Sequence, residues 1–128
     1  MIDRRYLPKT ADAFVVALHG QLFLSLSGVR RRGGEFPKLF LAQSSPVPGV
    51  SPYLINLWSF DDPSAPGRLL GGIKGPSDRP DRDWREFRAE MDRIRTLDAS
   101  GYSALLDRLD ELVRSYVVSR ADQFTLVA

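Results

Sequence analysis

The chain has 128 residues, 43% of them hydrophobic and 27% charged, and its net charge is only +2. It is long enough to bury a core of its own, too short for two ordinary domains, and too apolar for a disordered tail. The absence of cysteine excludes a disulfide framework, thiolate zinc, iron–sulfur clusters and a cysteine nucleophile, and suits a reducing compartment.

Charge is unevenly spread. Residues 1–40 carry seven bases and three acids, so an anion-binding surface is expected to involve this part. Arg4-Arg5 before an apolar run resembles a twin-arginine export signal. His19, Gly20 and Gln21 break that run, and no A-x-A cleavage site follows it. It also falls short of the roughly 20 apolar residues of a membrane helix. The expectation is a cytoplasmic protein with no membrane association.

Residues 13–27 fit two structures. As a helix, Thr10 caps the segment and Gly28 ends it. As two strands, His19-Gly20 makes the turn. The Leu/Ser alternation from Leu22 to Ser27, Val15-Val16 and Gly20 favour the strands. Leu22, Leu24 and Leu26 then share one face; Gln21, Phe23, Ser25 and Ser27 lie on the other. Arg32-Gly33-Gly34-Glu35 reads as a turn. Leu39–Ala42 forms a third short strand, and Ser44–Pro52, with three prolines, a loop. Tyr53–Phe60 is rich in strand formers. Arg68–Lys74 gives a fifth strand, where Gly71-Gly72 marks a bulge or a close backbone approach.

Helical spacing then takes over. Trp84, Phe87, Met91 and Ile94 recur at three and four residues within Asp81–Leu97. Tyr102–Val118 carries a wide apolar stripe, capped by Ser100 or Ser103. The short link makes these helices an antiparallel hairpin spanning 81–118, and the tail 119–128 can add an edge strand. The expected architecture is one α+β domain over 1–128. Residues 1–75 form an antiparallel sheet of about five meandering strands, covered on one face by the helical hairpin.

No chemistry-bearing constellation stands out. His19 is the only histidine and reads as a turn residue. Asp78, Asp81 and Asp83 complement a helix start. Gly72-Ile73-Lys74-Gly75 departs from a phosphate loop, because Ile73 precedes the lysine and Pro76 follows. No metal and no cofactor are indicated.

Two surfaces remain. Arg30-Arg31-Arg32, with Lys38, Arg4, Arg5 and Lys9, makes a cationic hairpin tip able to bind nucleic acid or an acidic protein. Tyr53, Trp58 and Phe60 make both faces of their strand apolar. The helical hairpin can cover only one of these faces. Phe14, Val16, Leu18 and Phe23 add to the second, which loops such as Ser44–Pro52, a protein partner or a second copy can cover. The expectation is a non-catalytic interaction protein: an adaptor, an inhibitor or an assembly subunit. The alternatives are a nucleic-acid-binding protein using the arginine tip and a small enzyme with a dispersed carboxylate site.

Overall fold

The computed structural model describes residues 1–33, 40–44, 53–60, 66–74 and 84–127. The architecture is α+β: a four-stranded antiparallel sheet, a second sheet of two strands, and helices. The elements in chain order are a 3₁₀ turn Arg4–Tyr6, α1 (Ala11–Leu18), β1 (Leu22–Leu24), β2 (Val29–Arg31), β3 (Phe40–Ser44), β4 (Ile55–Ser59), β5 (Arg68–Ile73), α2 (Trp84–Arg95), α3 (Ala99–Ser119) and β6 (Phe124–Leu126).

Residues 13–27 do not form the expected hairpin. Their first part is α1, and only Leu22–Leu24 is a strand. Thr10 starts the helix by accepting a hydrogen bond from the Ala13 amide at 3.1 Å. Ala11, Phe14, Val15 and Leu18 recur at helical spacing and are at most 1% exposed. Burying three side chains of this size contributes about 1.5–3 kcal/mol each. The helix penalty of two valines is only a few tenths of a kcal/mol each, so burial decides. The Leu/Ser alternation is nonetheless real: Leu24 and Leu26 are buried while Phe23 is 48% exposed.

The large sheet runs β1-β3-β4-β5 with every pair antiparallel. β2 leaves this order and pairs with β6, the tail strand. β4 is therefore central. One extra residue of β5 is accommodated where the register shifts at Leu57/Trp58. Gly71 takes φ +139 there, which L side chains rarely adopt. Gly72 answers the close-approach reading. An added Cβ would collide with the Ile55 carbonyl oxygen and come within 2.9 Å of Tyr53.

The inner face carries Leu24, Phe40, Ala42, Ile55, Leu57 and Ile73, all buried. Phe40 meets Tyr116 of α3 edge-on at 5.8 Å, and Gly71 lies under Leu112 of α3. α3 packs chiefly on β5, and α2 on α1. Thr96, Leu97 and Asp98 link α2 to α3, and Asp98, not Ser100 or Ser103, caps α3. The segment before α1 closes the core. The Ile2 amide donates to Asp110 at 2.8 Å, and the Tyr102 hydroxyl donates to the Pro8 carbonyl at 2.7 Å.

Candidate interaction surface

Successive strand residues point to opposite faces, so the residues registered with Trp58 share the face turned away from α3. Phe23 of β1 stands opposite Leu41 of β3, Leu41 opposite Trp58 of β4, and Trp58 opposite Leu69 of β5. This apolar row crosses all four strands. Phe23 is 48% and Leu69 37% exposed at its ends. Trp58 is half-buried, and Leu41 is buried between its neighbours. The next row is polar and uncharged: Gln43, Asn56 and Gly72. Asn56 donates to the Gln43 carbonyl at 3.5 Å. The indole N–H of Trp58 is buried without a hydrogen-bond partner among the described residues.

The other aromatic candidates lie elsewhere. Phe60 packs on the core, and its ring lies so close over Gly67 that a Cβ there would come within 2.7 Å. Tyr53 precedes β4, is half-buried and presses on Gly72. Phe14 and Leu18 are core residues of α1, and Val16 is exposed on that helix. Of the four residues expected to add to the uncovered sheet face, only Phe23 belongs to the sheet. Leu41 and Leu69 completed the row unforeseen. The bulge in β5 hides the pairing of Trp58 with Leu69 from any count along the sequence.

The three arginines are not a hairpin tip. Arg30 and Arg31 lie inside β2, opposite Thr125 and Phe124. Arg30 is exposed and Arg31 half-buried. Arg32 follows in a turn, where its guanidinium donates to the Ala121 carbonyl at 3.2 Å. Lys38 lies outside the described residues. Arg4 pairs with Asp107 and also donates to Ser103 at 3.1 Å. Arg5 is held by Asp3 at 2.7 Å, and that ion pair lowers the Asp3 carboxyl below its usual range. Arg4 sits beside Asp107 and Arg32 beside Ala121, a helix length of roughly 20 Å at 1.5 Å per residue. The two arginine groups therefore do not merge into one patch.

His19 ends α1, with Nδ1 3.4 Å from the Ser44 hydroxyl. That exceeds the roughly 2.6–3.2 Å reach between a general base and its nucleophile, and Ser44 is buried. Its hydroxyl also lies 3.4 Å from the Leu18 carbonyl, at the helix end. The acidic groups Asp61-Asp62 and Asp78–Asp83, like most of the Ser44–Pro52 loop, fall outside the described residues. Among the described residues no group of three His, Asp or Glu side chains is placed to hold a metal ion. No described helix is long and apolar enough to cross a membrane.

Comparison with known protein families, with curated proteins and with solved structures finds no match.

Proposed function

We propose that the protein is a non-catalytic interaction domain that docks another protein on the outer face of its large sheet, with a second copy of the chain as the occupant. The supporting observation is the registered row Phe23, Leu41, Trp58 and Leu69, exposed at both ends. Aromatic side chains of this kind dominate binding energy at interfaces. Neither this row nor the adjoining Gln43–Asn56–Gly72 row carries a charge, so the face can meet itself without like-charge repulsion. Two-fold association brings the same patch together from both partners. The cytoplasm, suited to a cysteine-free chain, is part of the same proposal.

The arginines support nucleic-acid binding less well, because Arg4, Arg5 and Arg32 are engaged within the chain. Sedimentation velocity over a concentration series tests the main reading. The wild-type protein should associate in the micromolar range, and Phe23→Ser combined with Leu69→Ser should abolish it with the fold retained. A wild-type chain that stays monomeric and captures no protein would refute the proposal.

A further inference from the structure

We infer that the cleft between the end of β5 and the first half of α3 binds a small organic anion with an apolar body. The cleft has a volume of about 600 Å³, inside the approximately 300–1,000 Å³ typical of small-molecule sites. Leu54, Ile73 and Leu105 line it and are buried. From α3, Gly101, Ala104, Leu105 and Arg108 line it at helical spacing, as one face of the helix. Small residues at the near end leave room, and the arginine stands at the far end. Tyr53 and Ile94, both half-buried, and Leu97, 37% exposed, offer apolar surface for a ligand body to cover.

The charge of the cleft decides the ligand class. Lys74 and Arg108 line it, both are exposed, and no acidic residue lines it with them among the described residues. This differs from Arg4, Arg5 and Arg95, which are matched to Asp107, Asp3 and Asp12. Glu111 lies beyond Arg108, in a smaller adjoining groove with Gly72 and Leu112. That carboxylate disfavours an anion on its side and leaves the Lys74 side for the charged group. A carboxylate or sulfonate there gains charge-assisted hydrogen bonds from the Lys74 ammonium, with the Arg108 guanidinium adding favourable charge to the same cleft. The site uses none of Phe23, Leu41, Trp58 and Leu69, the row that carries the association proposed above, and shares only Gly72 with the row beside it.

Titration with 1-anilinonaphthalene-8-sulfonate, followed by fluorescence, tests the site, with decanoate and decanol as competitors. The expected result is one saturable site, displaced by decanoate far better than by decanol. Lys74→Gln with Arg108→Gln, both at exposed positions, should raise Kd about tenfold or more. Ala104→Trp should fill the cleft and remove binding, and Phe23→Ser should leave it unchanged. Equal displacement by the two competitors, a Kd unmoved by the charge substitutions, or loss of dye binding in Phe23→Ser would overturn the inference.

Discussion

Tyr102 joins three parts of the molecule through one side chain. Its ring meets Phe14 of α1 at 5.5 Å, its hydroxyl donates to Pro8, and its backbone belongs to α3. Burial pushes its hydroxyl from the usual 10 up to about 12, partly opposed by the Arg4 charge. A raised pKa in the folded state means that the native protein keeps this proton where the unfolded chain has lost it. The contribution is therefore complete below pH 10 and declines as pH climbs from 10 towards 12. Urea denaturation at pH 9 and pH 11.5 should show that decline in the wild type and a smaller one in Tyr102→Phe. The same substitution should cost about 1 kcal/mol at neutral pH through the lost hydrogen bond. Gly72 is constrained by space. Gly72→Ala should destabilise by about 1–3 kcal/mol, because the Ile55 carbonyl and Tyr53 cannot both give way.

Elements were legible wherever one periodicity stood alone. The spacing of Trp84, Phe87 and Met91, the stripe of α3, and the strand formers of β4 all led to the right element type, with ends shifted by a few residues. Residues 11–24 were harder because two periodicities meet there. A helix-forming run with core positions at Ala11, Phe14, Val15 and Leu18 passes directly into an alternating strand. Local propensity could not weigh those burials, since the core they enter is built from β3 and α2, far along the chain. The arginines were misplaced for a related reason: the tail strand β6 was expected, but no local signal announces that its partner is β2. Val16, 58% exposed on α1, separates the two structures experimentally. Val16→Pro should destabilise by about 3 kcal/mol or more by breaking the helix interior, measured by thermal denaturation. Asp98→Ala should cost about 1 kcal/mol by removing the α3 cap.

At the scale of the whole molecule, the two faces of the large sheet do different work. The inner face is closed by α3 and its neighbours, with Phe40, Tyr116 and Phe124 in mutual ring contact. The outer face carries an uncharged apolar row whose ends reach solvent. The apolar character of both faces of β4 was readable from Tyr53 to Phe60, but the row itself depends on strand order and on the bulge in β5. Trp58 stands near the middle of that row and can report on it directly. The chain has two tryptophans, so Trp84→Phe leaves Trp58 as the only one. Acrylamide quenching of that variant across a concentration series should fall as the protein associates, as Trp58 becomes covered. Association that proceeds with the quenching of Trp58 unchanged would place the interface elsewhere and contradict the account.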